Sequence, residues 1–426
     1  MLLKNLYDSH VHLIPTGQVK SALDLSKLKS PEEVSKLQIK PENIHGDWLI
    51  GFGWNENDWS SQVPFDRFFL DQYFPHQKVY FSRCDGHSGA TNTMGLHALG
   101  FSLEDPAAGA GLLREAPHYQ ALRSLPEPSD SDLRDWLLVA CQQFNQAGYT
   151  HVREMGGSQR LWKIAKDLES QNLQTLHIDW NFSCENKVDG MRALAEAKEC
   201  LKQESPLNRV AGVKLFFDGS LGSETAYLSQ PYANRNDGGR GQTCWPIEDL
   251  EFTLRQVWEA GLPMAIHTIG DEAVDQIVTL ARKVSASGLS GRLNLEHVQV
   301  LRPDTLQKMK PLHITCHLQP CHWLSDRLWL KDKLGELYRY AFPWEALRKV
   351  KIPFFFGSDS PIEPPSLWNN LKALQDSPAF GIPSLGEDPL KFHVHPSGGG
   401  AQGETKLADG KVLEIFLQGR LIFNEN

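Results

Sequence analysis

The stretch PMAIHTIGDEAVDQIVTLARKVSASGLSGRLNLEHV, residues 263–298, contains a strand, a helix and a second strand in succession. Short apolar runs at its two ends, residues 263–268 and 293–298, are typical of buried β-strands. Between them, apolar residues return at helical spacing over residues 272–285. The stretch therefore predicts a parallel βαβ unit, and each of its strands carries a histidine near its end.

The same alternation extends along most of the chain. Helical spacing recurs in the stretches between most of the apolar runs, at residues 131–147, 159–169, 190–202 and 247–260. Strands are predicted at residues 6–13, 150–155, 175–182, 210–217, 263–268, 293–298, 313–318 and 352–356. Eight parallel βα units predict an α/β fold with a closed (β/α)8 barrel of the TIM type.

Two segments do not fit the repeat. About 130 residues separate the first two strands, far more than a βα loop needs. We interpret residues of about 40–130 as a folded cap over the barrel mouth, inserted into a barrel domain that spans 1–395. Residues 411–423 alternate across a Gln-Gly turn, which predicts a β-hairpin in a small appendage of residues 404–426. The glycine-rich residues 396–403 are predicted to form a loop or linker.

Composition narrows the function classes. The chain has 426 residues, of which 41% are hydrophobic and 22% charged, as expected of a soluble globular protein. A formal net charge of -9 disfavours nucleic acid as a partner and leaves small molecules. No apolar stretch is long enough for a membrane span or a secretory signal, so we predict a cytoplasmic location. Seven scattered cysteines predict reduced thiols.

His10 and His12 are the first candidate metal ligands. They stand two residues apart in DSHVHL, residues 8–13. Residues i and i+2 of a strand point to the same face, so both imidazoles can meet one ion. The pair alone is weakly specific, because two histidines on a half-buried strand fit the pattern equally well.

Further chemistry-bearing residues stand where later predicted strands end, at Lys214, His267, His297 and Asp359. That end of a barrel is where barrel enzymes place their catalytic groups. Lys214 lies in an apolar run, where a buried ammonium is costly without a partner. Two interpretations stay open for it: a salt bridge to Asp218, or carboxylation to an anionic carbamate that bridges two metal ions.

These motifs, taken together, resemble the amidohydrolase superfamily and, within it, the branch called YtcJ-like or amidohydrolase family 3. The resemblance rests on DSHVHL (8–13), VKLFFDGSLGSETA (213–226), IHTIGDEAV (266–274), LEHVQ (295–299) and GSDSP (357–361), with GWNENDW (53–59) and SRCDGHS (82–88). Members usually begin with several β-sandwich strands before the H-x-H motif. Only a few residues precede it here, which implies a sandwich reduced to the C-terminal hairpin.

The resemblance implies a role for each matching position. His10 and His12 would bind one divalent ion, Lys214 would bridge as a carboxylated lysine, and His267 and His297 would bind the second. Asp359 would be both a metal ligand and the general base. Substrate contacts from the cap would come from Trp54, Arg83, Asp85 and His87. One or two ions are expected, with zinc favoured by the imidazole and carboxylate ligands and with iron, manganese or cobalt as substitutes.

The expected activity is hydrolysis of a carbon–nitrogen bond other than a peptide bond, in an amide, N-acyl or cyclic amide substrate, through a metal-activated hydroxide. One alternative is a mononuclear deaminase, although deaminases of this kind have a glutamate where this chain has Gly270. A non-catalytic barrel that only binds ligand is the other. The sequence is compatible with a homo-oligomer. It does not identify the substrate.

Other histidines and cysteines could imitate a metal site. His393 and His395 form a second H-x-H motif, but it follows the eighth strand and is not expected to bind the catalytic metal. Cys316-His317 and Cys321-His322 lack a further cysteine pair to close a zinc site. We assign them to the seventh strand and the loop after it.

Overall fold

The computed structural model describes residues 1–19, 21–59, 63–84, 86–396, 400–408 and 410–425. The chain divides into two compact units. Met1–Ile14 and Leu133–Asn426 form one unit, and Pro15–Asp132 form the other. No helix of the described ranges is both long and apolar enough to cross a membrane.

The first unit is built on eight parallel strands, as predicted. They are β1 (Tyr7–Val11), β2 (His151–Gly157), β3 (His177–Ser183), β4 (Asn208–Phe216), β5 (Met264–Thr268), β6 (Leu293–His297), β7 (Ile314–Leu318) and β8 (Phe354–Phe356), hydrogen-bonded in chain order. Val11 pairs in parallel with Ser360, in the segment that follows β8, and the His12 amide donates to the Ser360 carbonyl at 2.8 Å. These bonds join the two edge strands, so the predicted barrel is confirmed.

Helices follow the strands and cover the outside of the sheet. Several begin at a side chain that accepts a backbone N–H, such as Ser158, Asn186 and Ser366, which lowers the cost of unpaired donors at the first turn. The helices of this part of the chain are Gln159–Ser170, Lys187–Leu201, Ile247–Glu259, Asp271–Ala286, Pro303–Met309, Pro320–Asp326, Leu330–Leu334, Trp344–Lys349 and Leu367–Asp376, with 3-10 turns at Gly335–Tyr340, Ser377–Phe380 and Pro389–His393. The helices Leu13–Gln18 and Asp130–Gln146 each include residues of both units.

The apolar core lies between the strands and these helices. Trp162 of the helix Gln159–Ser170 packs its ring 6.4 Å from those of Trp180 and Phe182 on β3, and all three are buried. Burying one large apolar side chain of this kind contributes about 1.5–3 kcal/mol to folding. The strand side chains that point into the barrel do not belong to this apolar layer.

The inside of the barrel is polar. Arg153 on β2 donates to Glu296 on β6 at 2.8 Å, although β2 and β6 are not neighbours in the sheet. Their contact must therefore cross the interior. Both side chains are buried. Burying a charged group is costly unless it has a partner, and Arg153 and Glu296 provide that partner for each other.

The chain termini form a separate four-stranded antiparallel sheet of Leu2–Lys4, Gly403–Ala408, Lys411–Leu417 and Arg420–Asn424. The hairpin predicted at residues 411–423 is present, with Gln418 and Gly419 at positive φ in its turn. The sheet is wider than predicted, because the hairpin pairs with residues 403–408 and these pair with the N-terminal strand. Of the predicted loop 396–403, residues 397–399 lie outside the described ranges and Gly403 begins a strand.

The second unit, Pro15–Asp132, contains its own sheet and helices. Its strands are Leu23–Asp24, Ile44–His45, Trp48–Trp54, Lys78–Arg83, Ser88–Thr91 and Leu112–Arg114, and its helices are Arg67–Tyr73, Thr93–Ala98 and Ala116–Ser124, with 3-10 turns at Pro31–Lys36, Pro41–Asn43 and Glu56–Asp58. Trp54, Trp59 and Phe65 are buried together in its core. The unit begins at Pro15, whereas the sequence placed the start of the inserted cap near residue 40.

Candidate metal centre

The predicted metal ligands lie at the carboxyl ends of the barrel strands. His10 is in β1 and His12 follows it directly, His267 and His297 are in the last two residues of β5 and β6, and Asp359 follows β8. Lys214 precedes the end of β4 by two residues. Parallel strands bring these ends to one mouth, so residues 349 positions apart in the chain, His10 and Asp359, become neighbours.

Asp359 is the centre of this group. Its Oδ1 lies 3.2 Å from His10 Nε2 and 3.3 Å from His12 Nε2. Its Oδ2 lies 3.9 Å from His297 Nδ1. Donor atoms of His10, His12 and Asp359 lie within 4.8 Å of one another, a spacing at which they could hold one metal ion.

His267 and Lys214 extend the group from β5 and β4. The His267 ring lies 4.4 Å from the His297 ring, centroid to centroid, while His267 Nε2 lies 3.1 Å from the Gly219 carbonyl oxygen. Lys214 is fully buried, and its Nζ makes no hydrogen bond to any residue that the structure describes. The carboxylate of Asp218, its suggested salt-bridge partner, instead accepts the backbone N–H groups of Tyr227, Ile269 and Gly270.

Burial determines the protonation of Lys214. It lowers the pKa of the ammonium to about 8, against opposition from the carboxylates of Glu296 and Asp359. The Nζ also lies 3.8 Å from the centroid of the Phe216 ring. An amine with this pKa is partly neutral near pH 7, which is the form that reacts with carbon dioxide.

The hydrogen bonds of His10 show how well the site suits a cation. His10 Nδ1 lies 2.7 Å from Glu296 Oε2, so this nitrogen carries a proton. Nε2 then faces Asp359, yet it makes no hydrogen bond within the described chain. Burial lowers the pKa of His10, but Asp359 and Glu296 outweigh it and raise the pKa. A cation in place of a proton between Nε2 and the carboxylate would bind both of these facing atoms, so the donor set fits a divalent metal.

Two of the other histidines, His12 and His297, are held neutral. Burial lowers the pKa of His12 and, more strongly, that of His297. Their lone pairs are therefore available to a metal at neutral pH. Burial alone would raise the pKa of Asp359, but His10, His12 and His297 lower it well below its ordinary value. Asp359 is consequently a carboxylate.

Strained backbone accompanies this site. Asp359, His297 and Val298 have φ angles of 60°, 72° and 45°, a region that costs a non-glycine residue about 1–3 kcal/mol. Backbone bonds hold these conformations: the Asp359 amide donates to the His10 carbonyl at 2.9 Å, and the Val298 amide to that of Thr268 at 3.0 Å. Strain of this kind concentrates at functional sites.

His322 is a candidate ligand that the sequence analysis did not select. It lies in the helix Pro320–Asp326 rather than in a loop after β7, and its Nε2 is 3.7 Å from Asp359 Oδ2. With His297 and Asp359 it forms a second group of possible metal ligands. Cys321 is buried, and burial raises the pKa of its thiol well above the ordinary value. The only sequence signal was the proximity of His322 to the end of a predicted strand.

Two further residues orient the histidines. Glu296 Oε1 accepts from Arg153 at 2.8 Å while Oε2 contacts His10. Gln319 Oε1 lies 2.8 Å from His297 Nδ1. Outer partners of this type fix the ring orientation of metal-binding histidines. Neither was identified from the sequence, because each acts through a residue distant in the chain or on another element.

The predicted substrate contacts lie in the second unit. Arg83 donates to Glu56 at 2.8 Å and to Asn55 at 2.9 Å, and the buried Trp54 donates its Nε1–H to the Phe81 carbonyl at 3.2 Å. His87 Nδ1 lies 3.2 Å from Glu115. Asp85 lies outside the described residues. Their contribution to substrate binding stays a prediction.

The chain is similar to known proteins along most of its length. The model of a family described as "Amidohydrolase family" matches residues 6–375. "Putative amidohydrolase YtcJ" of Bacillus subtilis (strain 168) is 29% identical over 438 aligned positions, which cover 98% of this chain and 79% of that protein. "Protein LONG AFTER FAR-RED 3" of Arabidopsis thaliana is 28% identical over 393 positions, covering 85% of this chain and 66% of that protein.

Solved structures show the same fold. A protein described as an uncharacterized metal-dependent hydrolase from Pyrococcus horikoshii OT3 superposes with a TM-score of 0.69 at 24% identity, covering 89% of this chain and 76% of that one. A similarly described protein from Pyrococcus furiosus gives a TM-score of 0.67 at 25% identity, with coverages of 88% and 76%. Both similarities agree with the barrel described above.

Proposed function

The chain belongs to the amidohydrolase family, and from that premise we propose that it is a metal-dependent hydrolase of carbon–nitrogen bonds in small amide, N-acyl or cyclic amide substrates. The observation that carries the proposal is the convergence of three histidines on the Asp359 carboxylate, next to a buried lysine without a hydrogen-bond partner among the described residues. A structural ion pair would not need so many imidazoles around one carboxylate.

The ligands follow from the positions at the barrel mouth. His10 and His12 would hold one divalent ion, and His267 and His297 a second. Lys214 would bridge them after its Nζ attacks the carbon of carbon dioxide, forms an N–C bond and releases a proton. Imidazole and carboxylate donors suit zinc. A divalent cation in such a site lowers the pKa of water and polarises a substrate carbonyl.

Asp359 is the proposed proton carrier. Its pKa is held low by the surrounding histidines, so its carboxylate can accept a proton from the attacking water at Oδ1 or Oδ2. The same carboxyl group then returns that proton to the nitrogen that leaves as the C–N bond breaks. His322 Nε2 lies 3.7 Å from Oδ2 of this carboxylate.

The deaminase alternative is not favoured. Gly270 occupies the position where related deaminases have a glutamate, and a Cβ built on it would lie 2.1 Å from the backbone oxygen of Tyr227. The loop therefore has no room for a longer side chain at this position.

The experiment compares wild type with Asp359→Asn. Metal content is measured by elemental analysis, and hydrolysis is screened on N-acyl amino acids, formamides and cyclic amides. We expect bound divalent metal in both proteins, but turnover lower by orders of magnitude in Asp359→Asn, because the amide cannot accept the proton. Asp167→Asn removes an exposed carboxylate paired with Arg134 and is the control with unchanged turnover. Normal turnover in Asp359→Asn, or wild-type protein that takes up no metal, would contradict the proposal.

A further inference from the structure

A second group of histidines lies away from the candidate metal centre, where the barrel strands begin. His151 and His177 are the first residues of β2 and β3, Asp179 follows on β3, and His395 enters from the segment before the C-terminal sheet. The three imidazole rings lie 4.8–5.1 Å apart, centroid to centroid. We name His177, Asp179 and His395 the basal triad.

Two imidazole nitrogens in the basal triad face one carboxylate. His177 Nε2 lies 3.1 Å from Asp179 Oδ1, and His395 Nε2 lies 2.7 Å from Asp179 Oδ2. The histidine side chains are 1% and 4% exposed, while that of Asp179 is 18% exposed. Ions and water can therefore approach through the carboxylate, although the imidazoles are buried.

The proton positions on His177 indicate what the triad can bind. Its Nδ1 lies 2.7 Å from the Pro206 carbonyl oxygen, which only accepts, so Nδ1 carries the proton. The Nε2 of a neutral His177 then presents a lone pair to a carboxylate oxygen. A backbone carbonyl on one nitrogen and a free lone pair on the other is the usual arrangement of a metal-binding histidine.

His151 provides an internal contrast. Its Nε2 donates to the Ala401 carbonyl at 2.9 Å, and its Nδ1 accepts from the Thr150 hydroxyl at 2.8 Å. Burial lowers its pKa to about 3. Both nitrogens of this neutral ring are already used, so His151 packs beside the triad without a lone pair to offer.

We propose that His177 Nε2, the Asp179 carboxylate and His395 Nε2 bind one divalent cation of the zinc class, separate from the candidate metal centre. Two imidazoles and a carboxylate are a donor set that zinc and iron(II) accept. Tetrahedral zinc places its ligand atoms about 3.3 Å apart, given metal–ligand distances of about 2.0–2.1 Å. Entry of the cation would widen the observed separations of 2.7 and 3.1 Å to about 3.3 Å. Water supplies the fourth ligand.

The role of this cation is structural. His395 lies in the segment that returns the chain to the terminal sheet: Val394 pairs with Leu6, the His395 amide donates to Asn5 at 3.0 Å, and the Ala401 amide donates to Pro206 at 3.0 Å. Binding fastens this segment to β3. A cation that binds only the folded chain adds its binding free energy to the stability of the fold.

The competing explanation needs no cation. His177 could carry a second proton and form an ion pair with Asp179, which would also satisfy both nitrogens. The two explanations differ in metal stoichiometry and not in the appearance of the hydrogen bonds. Neither explanation depends on whether the barrel mouth catalyses a reaction.

The test measures cobalt(II) and zinc(II) binding to the full-length protein after chelation. We compare wild type with His395→Ala and with Asp179→Asn, which keeps the shape of the carboxylate. The control is His393→Ala, two residues away, whose buried ring makes no hydrogen bond in the described chain. We expect each triad variant to bind one equivalent less than wild type and to lose the part of the cobalt absorption that this site contributes, while His393→Ala binds as wild type does.

Equal stoichiometry in wild type and Asp179→Asn would overturn the proposal, and Asp179→Asn decides the matter if His395→Ala fails to fold. As a second readout, chelation lowers the melting temperature of wild type more than that of Asp179→Asn. An equal decrease in melting temperature for wild type and Asp179→Asn would also contradict the proposed site. Because the readout is a difference in metal equivalents, it is independent of whether the candidate metal centre hydrolyses any substrate.

Discussion

Replacing Glu296 by glutamine tests whether the carboxylate behind His10 supports the candidate metal centre. Glu296 is fully buried on β6 and accepts from two donors, His10 Nδ1 at 2.7 Å and Arg153 at 2.8 Å. Glutamine keeps the shape but replaces one acceptor oxygen with an NH2 donor. Whichever way the amide is oriented, its nitrogen faces one of these donors, so at least one hydrogen bond is lost.

The substitution is expected to change both metal affinity and the free energy of unfolding. Burial alone would raise the pKa of Glu296, but Arg153, His317 and His10 outweigh it and lower the pKa, so the native group is an anion. Loss of an outer partner of a metal-binding histidine reduces metal affinity by about 10–100-fold. Removing one member of a buried ion pair leaves Arg153 uncompensated and lowers the free energy of unfolding by about 3–5 kcal/mol.

Metal affinity is measured by competition with a chromogenic chelator, and the free energy of unfolding by urea denaturation of the metal-free protein. Glu251→Gln is the control, because Glu251 pairs with Lys283 and Arg255 near the surface, where such pairs contribute about 0–1 kcal/mol. If Glu296→Gln matches Glu251→Gln in both measurements, the assigned role of Glu296 is wrong.

Two further predictions concern Lys214. Lys214→Ala is expected to lose metal from at least one position, with partial recovery in short carboxylic acids that replace the carbamate; unchanged metal content would remove the bridge from the proposal. In the metal-free protein, the folded pKa of about 8 lies below the value of about 10.4 in the unfolded chain, so the unfolded chain binds more protons between these pH values and stability rises with pH there. Lys214→Met should flatten that rise in urea unfolding measured at several pH values, and equal slopes would contradict the assignment.

Local sequence patterns were sufficient for the barrel but not for every part of the site. Each βα unit carries its own periodicity, so β5, β6 and the helix between them could be predicted from residues 263–298 alone. The strand Gly403–Ala408 was missed because its pairing with Leu2–Lys4 joins opposite ends of the chain. Its sequence, GETKLA, has apolar residues only at Leu407 and Ala408, so it lacks the apolar alternation that identifies a strand.

Some residues of the site were not predicted from the sequence for the same reason, namely that their partners are distant in the chain. Glu296 could not be selected from the sequence, because its partner His10 is 286 positions away. The position of His322 depends on the direction of a short helix, Pro320–Asp326, and this helix was not predicted from the sequence. By contrast, the strand-end histidines could be selected because the barrel topology itself brings strand ends together.

Lys214 determines the charge balance at the barrel mouth. Glu296 and Asp359 are anions, and Arg153 and an ammonium on Lys214 would offset these two carboxylates, which weakens their attraction for a divalent cation. A buried ammonium beside His12 and His297 would also repel that cation, since burial and, to a smaller extent, the charge of Lys214 lower the pKa of both histidines. Carboxylation converts this cation into an anion and changes the local charge by two. Metal binding and modification of Lys214 are therefore expected to depend on each other, because each removes the electrostatic cost of the other.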